Sequence, residues 1–206
     1  MVVDLLVQKS EFDSKSVKRT YMHLYPDCAE LAHPMLTNKL LKAIIFDLDH
    51  TLINSGIDFL RMKRSMIRYV RSKFPSFGEL DDKWTTYEIV DKTVKFLERN
   101  DLLEVITATM CELDEIMTRV EMDSVAKATM IDGAYETLNV LRAAGVGIGV
   151  LTRSCRKYAI EVLKATGLVS LIDEIAARDD CEKPKPDPNL VYWLIKMMRV
   201  ESNSVI

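Results

Sequence analysis

The 206-residue chain is poor in the residues that define specialised protein classes, with four cysteines, seven glycines and six prolines. The cysteines are Cys28, Cys111, Cys155 and Cys181, and no two of them form a CxxC pair. They are typical of free thiols in a reducing compartment rather than of a zinc site or a disulfide framework. The low glycine and proline content excludes a collagen-like or low-complexity chain.

Neither sign of charge dominates the sequence, which has 28 Lys and Arg against 31 Asp and Glu, for a net charge of −3. Proteins that bind nucleic acid through bulk charge are basic, so nucleic acid is not an expected partner. No apolar run approaches the roughly 18–20 residues of a membrane span. The first residues lack the basic and apolar regions of a signal peptide. We therefore predict a cytoplasmic protein without a membrane partner.

The sequence does contain the balance of a globular protein, with 48% apolar and 29% charged residues. Its length fits one domain, or one domain with an inserted subdomain. Composition and patterning predict three parts. Residues 1–38 form an N-terminal extension without clear periodicity, residues 39–56 and 131–206 form an α/β core, and residues 57–130 form a helical insert.

The predicted core alternates between strand and helix patterns. Its first element, LLKAIIFDLD at 40–49, is a short apolar run ending in acids, which is typical of a strand buried on both faces. The later predicted elements are a helix at Ala134–Ala144, a strand at 146–152, a helix at Arg156–Ala165, a strand at Glu174–Arg178, a helix at Asn189–Met198 and a strand beginning at Ser204. This order predicts an α/β fold with a Rossmann-like parallel sheet, whose ligands bind at the carboxyl ends of the strands.

The predicted insert is helical throughout, with a single break at Pro75 and Gly78. Further helices are predicted around Lys83–Glu98 and Leu102–Val120. In the first helix, the residues that share an apolar sector are Phe59, Met62, Met66, Ile67, Val70 and Phe74, and the opposite side carries Arg61, Arg64, Arg68 and Arg71. We expect the arginine face to be solvated. The alternative is that one arginine reaches an anionic substrate.

Two acids stand at the end of the first predicted strand, in the order Asp47-Leu48-Asp49. Strand alternation would place both acids on one side of the strand. Carboxylates this close disfavour each other's ionisation, unless a cation lies nearby or one of them stays protonated. One acid can then serve as a nucleophile and the other as an acid/base. The simpler alternative is a strand end made soluble by acids.

The other two predicted strands also end in polar residues. Thr152 and Ser154 offer hydroxyl and N–H groups just before a helix, a favourable place for an anion, although Ser154 is equally suited to be a plain N-cap. After the third strand, EKPKPDP carries Lys183 and Lys185. Its prolines stiffen the segment and would hold a lysine over the strand ends. A solvated charged loop is the alternative for this piece.

Taken together, these segments resemble the haloacid dehalogenase superfamily over residues 40–206. FDLDHTL at 46–52 is similar to the first motif, LTRS at 151–154 to the second, and the KPxP segment to the third. DGAYETLNVLRAAGVGIGVLT and ARDD…KPDP look most like the phosphoglycolate-phosphatase-like branch. The helical segment 57–130 resembles that branch's C1 cap.

The resemblance implies a phosphohydrolase that acts on small phosphorylated metabolites and uses Mg²⁺. In such an enzyme Asp47 attacks phosphorus and forms an aspartyl-phosphate, while Asp49 protonates the leaving group and then deprotonates water. The Asp47 carboxylate and the Asp49 backbone carbonyl would hold the metal. This division of labour agrees with the demands of phosphoryl transfer, which are positioning and charge neutralisation.

The resemblance also assigns residues to the phosphate. Thr152 and Arg153 would bind the phosphoryl group, and Lys185 would neutralise charge on the nucleophile and the phosphate. Lys183 also begins a KPxP and is the alternative lysine. His50 stands where many relatives carry Gly or Asn, and we expect it to pack near the site rather than to bind metal.

The family's fourth motif, usually GDxxxD, is expected after Val205-Ile206, where this sequence stops. The sequence therefore predicts a chain that is incomplete at its C-terminus. Asp179 or Asp180 is an alternative for the missing metal ligands. Two alternatives to the phosphohydrolase stay open at this point. One is a truncated, catalytically impaired phosphate-binding or interaction protein, and the other is a sugar phosphomutase of the same superfamily. The pattern does not predict an oligomeric state.

Overall fold

The computed structural model of the chain describes residues 41–181, 185 and 187–206. The extension predicted at 1–38 and the alternative lysine Lys183 lie outside the described residues. No helix in the described part of the chain is long and apolar enough to cross a membrane.

The described residues form two compact units. One combines the residues up to Asn54 with Thr129–Ile206, and the other is Ser55–Ala128. The first unit contains strands and helices, and the second is helical. A role for the helical unit as a cap stays a prediction.

The strands and longer helices follow one another along the described chain. In chain order they are β1 (Ala43–Phe46), β2 (Ile53–Asn54), α1 (Phe59–Lys73), α2 (Thr86–Arg99), α3 (Ile106–Met122), β3 (Thr129–Met130), α4 (Ala134–Ala143), β4 (Gly147–Leu151), α5 (Arg156–Ala165), β5 (Glu174–Ala176) and α6 (Asn189–Met197). The chain is thus an α/β protein, as predicted.

A parallel sheet in the order β1-β4-β5 forms the centre of the first unit. Ala43 of β1 lies opposite Gly147 of β4, and β5 pairs with the far edge of β4. On the other side of β1, Val205 forms a parallel bridge with Ala43, and the Ile45 N–H donates to the Ile206 carbonyl at 2.7 Å. Strand β1 thus has backbone partners on both sides, and three of its four residues are buried, with Ile45 part-buried.

Close packing of α6 on the sheet depends on a glycine in β4. A Cβ added to Gly149 would lie 2.8 Å from the Met198 sulfur and 3.3 Å from a Leu194 methyl carbon. Leu190 and Leu194 of α6 form a buried cluster with Leu151 and other apolar residues of the strands. The helix that follows the lysine segment is therefore held tightly against the strands that carry the predicted site residues.

A two-stranded antiparallel ladder lies where the chain leaves the first unit and where it returns. Ile53 and Asn54 of β2 pair with Met130 and Thr129 of β3. The chain leaves the first unit after Asn54 and returns at Thr129, so the whole helical unit is inserted at one hydrogen-bonded pair of residues.

The helical unit buries four of the six residues in the apolar stripe predicted for its first helix, and Phe74, which follows the helix, is only part-buried. Met62, Met66, Ile67 and Val70 are buried against the other helices. Phe59, expected on the same stripe, is 44% exposed. It is the first residue of α1, and the helix is capped there by Asp58, whose side chain accepts from the Arg61 N–H. Of the arginine face, Arg61 pairs with Asp123 at 2.7 Å, and both side chains are about half exposed.

Candidate active site

The nucleophile-type acid Asp47 follows β1 directly and contacts the lysine of the KPxP segment. The Lys185 ammonium donates to Oδ1 of Asp47, and it donates to the Leu151 carbonyl at the end of β4 at 3.1 Å. Both side chains are part-buried. The lysine thus ties the carboxyl ends of two neighbouring strands together. The structure brings the predicted lysine Lys185 to Asp47.

The second acid, Asp49, receives hydroxyl groups on both carboxylate oxygens. Ser154 donates to Oδ2 at 2.8 Å, and Thr152 donates to the same oxygen at 3.3 Å. Tyr158 donates to Oδ1 at 3.1 Å. All three donors come from the end of β4 and the first turn of α5, so the second strand and its helix supply the surroundings of Asp49.

Burial raises the pKa of the Asp49 carboxyl above the ordinary aspartate value. The hydrogen bonds from Ser154, Tyr158 and Thr152 oppose this change because they favour the carboxylate, and the negative charge of Asp47 adds to it. Desolvation is the largest effect. Asp49 therefore keeps its proton to a higher pH than an exposed aspartate, which suits a group that donates a proton.

Strand alternation predicted that both acids lie on one side of a continuous strand. In the structure they do not lie on one strand. β1 ends at Phe46, and the chain then turns, because the Leu48 carbonyl accepts from the N–H groups of Thr51, Leu52 and Ile53. Within this turn His50 has a left-handed backbone with φ of 62° and an exposed side chain. The expectation that His50 packs near the site is therefore wrong. The backbone conformation gives a physical reason why Gly and Asn suit this position.

Ser154 lies in the segment between β4 and α5 and is not the N-cap of that helix. The N-cap of α5 is Cys155, whose sulfur accepts from the Tyr158 N–H at 3.4 Å. Ser154 instead uses its hydroxyl on Asp49, and its own N–H donates to the Thr152 hydroxyl at 3.0 Å. Arg153 is exposed beside Thr152, and its phosphate-binding role stays a prediction.

An arginine–aspartate pair that the sequence did not reveal fixes the next segment. The Arg156 guanidinium donates to both oxygens of Asp180, at 2.6 and 2.7 Å, and to the Ile175 carbonyl at 2.6 Å. The Arg156 N–H donates to Asp179 at 2.7 Å. Hydrogen bonding to Asp180 raises the pKa of Arg156. Because both acids are engaged by Arg156, the idea that either substitutes as a metal ligand is not supported.

The donor set around Asp47 suits a hard cation that keeps much of its water. Among the described residues there is no group of three or more His, Cys, Asp or Glu that could hold a metal. Asp47 offers Oδ2, since Lys185 takes Oδ1, and Asp49 offers its backbone carbonyl, since hydroxyls occupy its carboxylate. Mg²⁺ commonly binds through one or two protein oxygens, waters and a substrate phosphate. These two oxygens fit that pattern.

Two positions at this site escaped sequence reasoning. Ser154 was expected to contact an anion or to cap the helix, not to contact Asp49, and Tyr158 has no prediction. The available signal was their spacing of four residues across the start of a helix, which brings side chains to one face. That face is identified as the one toward Asp49 only when β1 and β4 are placed side by side.

Comparison with known proteins gives one family. A family model described as haloacid dehalogenase-like hydrolase matches residues 44–206. This span includes Asp47, Asp49, Thr152 and Lys185, the four residues predicted to be catalytic.

Individual relatives are phosphatases by name. Validoxylamine A 7'-phosphate phosphatase of Streptomyces hygroscopicus subsp. limoneus is 28% identical, over 81% of this chain and 76% of the relative. Phosphoglycolate phosphatase of Thiobacillus denitrificans is 27% identical, over 72% of this chain and 65% of the relative. The crystal structure of a predicted phosphoglycolate phosphatase from Haemophilus somnus shares the fold with a TM-score of 0.54. It is 20% identical, over 80% of this chain and 75% of that chain.

Proposed function

Because the chain belongs to the haloacid dehalogenase-like hydrolase family, we propose that it hydrolyses small phosphorylated metabolites through an aspartyl-phosphate intermediate and with Mg²⁺. One observation carries this proposal. Asp47 contacts an ammonium group, while the neighbouring Asp49 accepts from three hydroxyl donors, and burial raises the pKa of its carboxyl. A nucleophile and an acid are thus differentiated at one strand end. The names of the relatives support a phosphatase.

In the first step, an oxygen of Asp47 attacks phosphorus and the bond from phosphorus to the ester oxygen breaks. The proton on Asp49 passes to that oxygen, and the product leaves as an alcohol. Lys185 stays near Asp47 and offsets the negative charge that nucleophile and phosphate bring together. Thr152 and the exposed Arg153 next to it would bind the phosphoryl oxygens.

In the second step, water attacks the phosphorus of the aspartyl-phosphate. Asp49, now a carboxylate, accepts a proton from that water, and the bond from phosphorus to Asp47 breaks. Inorganic phosphate leaves, and both acids return to their starting forms. The same carboxyl therefore acts first as acid and then as base.

Mg²⁺ would be held by the Asp47 carboxylate and the Asp49 backbone carbonyl, and when bound it supplies positive charge that neutralises the phosphate. The protein oxygens fix its place next to the nucleophile. A cytoplasmic location agrees with this proposal, since phosphorylated metabolites occur there.

An assay with Asp47→Asn tests the proposal. The wild-type chain should release phosphate from p-nitrophenyl phosphate and from members of a metabolite panel only when Mg²⁺ is added. Asp47→Asn should abolish this release, because an amide is not a nucleophile toward phosphorus. Asp91→Asn, which changes an exposed carboxylate on α2, should leave the rate unchanged.

Activity that survives in Asp47→Asn would contradict the mechanism. A folded wild-type chain that turns over no ester would favour the phosphate-binding or interaction protein. Transfer of the phosphoryl group within a sugar phosphate, without release, would favour the phosphomutase.

A further inference from the structure

Tyr158 is a fully buried phenol whose hydroxyl is directed at Asp49. It stands in the first turn of α5 and has no exposed surface. Its hydroxyl donates to Oδ1 of Asp49 at 3.1 Å. A phenylalanine would supply the same apolar ring for packing. The hydroxyl therefore has a purpose beyond packing, and buried polar groups of this kind are retained where they have partners.

The second oxygen of the same carboxylate is held by a residue four positions earlier. Ser154, which is also buried, donates to Oδ2 of Asp49 at 2.8 Å. The Tyr158 N–H in turn donates to the Cys155 sulfur, so the segment from Ser154 to Tyr158 is itself fixed by the helix cap. One rigid helix start thus contacts both oxygens of Asp49.

We propose that Tyr158 is a positioning residue for Asp49, with Ser154 as its counterpart on the other oxygen. The inference rests on the proposed function, in which Asp49 gives a proton to the leaving oxygen and later takes one from water. Both transfers need the carboxyl at nearly the same place, since proton transfer falls off steeply with misplacement. Two hydroxyls on opposite oxygens prevent the carboxyl from turning about its side-chain bonds between the two steps.

The consequence is a dependence on the leaving group. Ethyl phosphate releases an alkoxide that needs a proton, whereas p-nitrophenyl phosphate releases a stable phenolate that does not. kcat/KM reports the steps up to the first chemical transfer, and kcat includes the later attack of water. A misplaced Asp49 should therefore lower kcat/KM for ethyl phosphate only. It should slow the second step for both esters.

The test is Tyr158→Phe, assayed with Mg²⁺ on these two esters. We expect kcat/KM for ethyl phosphate to fall by about 10- to 100-fold, and kcat/KM for p-nitrophenyl phosphate to stay near the wild-type value. Slow attack of water should also produce a burst of nitrophenol and a larger fraction of acid-trapped phosphoenzyme. A general loss of structure would instead lower both kcat/KM values together and produce no burst.

Two further variants complete the experiment. Tyr192→Phe removes an exposed phenol from α6 and should match the wild type on both esters. Ser154→Ala removes the shorter of the two hydrogen bonds to Oδ2 and should give the same leaving-group pattern as Tyr158→Phe. It is the deciding variant if Tyr158→Phe does not fold.

The inference is overturned if the folded variant leaves both esters unaffected or lowers both kcat/KM values equally. A wild-type chain that hydrolyses neither ester would instead overturn the proposed function. The two failures are thus distinguishable.

Discussion

The Asp49 carboxyl is governed by opposing effects of its surroundings. Burial disfavours the charged form, and three hydroxyl donors favour it. Burial is the stronger effect, so the folded chain holds this proton more tightly than the unfolded chain does. A group whose ionisation is opposed by the fold costs stability once it is ionised, which is common where a site is shaped for chemistry rather than for stability.

Replacing Asp49 by Asn should therefore stabilise the chain in a pH-dependent manner. The unfolded carboxyl loses its proton near its reference pKa of 3.8, and the folded one at higher pH. The wild-type free energy of unfolding should fall as pH rises through this window and stay lower above it. Asn does not ionise, so Asp49→Asn should match the wild type near pH 3 and exceed it at neutral pH.

This prediction is checked by urea unfolding at several pH values, with EDTA present to exclude metal effects. Asp91→Asn, in the exposed helix α2, is the control and should show no such gain at neutral pH. A difference between Asp49→Asn and wild type that is independent of pH would show that burial of the charge is not its cause.

At the residue scale, the sequence pointed to the positions that follow strands directly. Asp47, Asp49 and Thr152 could be proposed because each stands at a strand end in an α/β pattern. Tyr158 could not, because its hydroxyl meets Asp49 across 109 positions of sequence. His50 was misjudged because a left-handed backbone is not visible in residue types alone.

At the scale of elements, the Arg156–Asp180 pair joins α5 to the short helical turn Arg178–Asp180 after β5. Asp180 also accepts from the Ala177 N–H at 2.7 Å, so one carboxylate serves both a side chain and the backbone. Its side chain is 13% exposed and that of Arg156 is 34% exposed. The pair thus combines a charge-assisted fork with partial burial, unlike the exposed ion pairs elsewhere.

We expect Asp180→Ala to lower the free energy of unfolding by about 2 kcal/mol, because it leaves a part-buried guanidinium and a backbone N–H without their acceptor. Disrupting the exposed Lys95–Asp91 pair by Asp91→Ala should cost no more than about 0.5 kcal/mol. Urea unfolding of both variants checks the contrast. Equal effects would mean that Asp180 contributes no more than a surface charge.

The bounds of α5 and β5 show which ends of elements the sequence predicts and which it does not. The helix predicted at Arg156–Ala165 has those bounds in the structure, and Gly167 marks its end locally. The strand predicted at Glu174–Arg178 ends at Ala176 instead. Its end is set by Asp180 folding back on Ala177 and Arg156. Such long-range contacts leave no periodic signal in the sequence.

At the scale of the whole molecule, the order of strands and helices predicted the α/β class and the parallel sheet. The strand order β1-β4-β5 follows from neither periodicity nor composition. The antiparallel pairing of β2 with β3 was also not predicted, because each strand has only two residues. Short ladders depend on the surrounding fold rather than on their own residues.

This ladder allows a test of the independence of the first unit. Asn54 and Thr129 are register partners, so Ser55–Ala128 can be replaced by an Asn-Gly turn of a two-residue hairpin. We expect the shortened chain to fold and to unfold cooperatively in urea, with a smaller m-value because less surface is exposed.

A second shortened chain, with a longer Gly/Ser linker in place of the Asn-Gly turn, serves as the control. It should reduce stability only slightly, since loop-closure entropy grows slowly with length. A shortened chain that aggregates or unfolds without cooperativity with either joint would show that the sheet unit needs the helical unit to fold.

The single hydrogen-bonded pair at Asn54 and Thr129 also has a genetic consequence. The coding region of the inserted helices is bounded by two codons whose products touch in the folded chain. An in-frame exchange of the stretch between these codons leaves the codons of Asp47, Asp49 and Thr152 unchanged. The stretch that encodes the inserted helices can therefore be replaced without altering the codons of the strand-end residues.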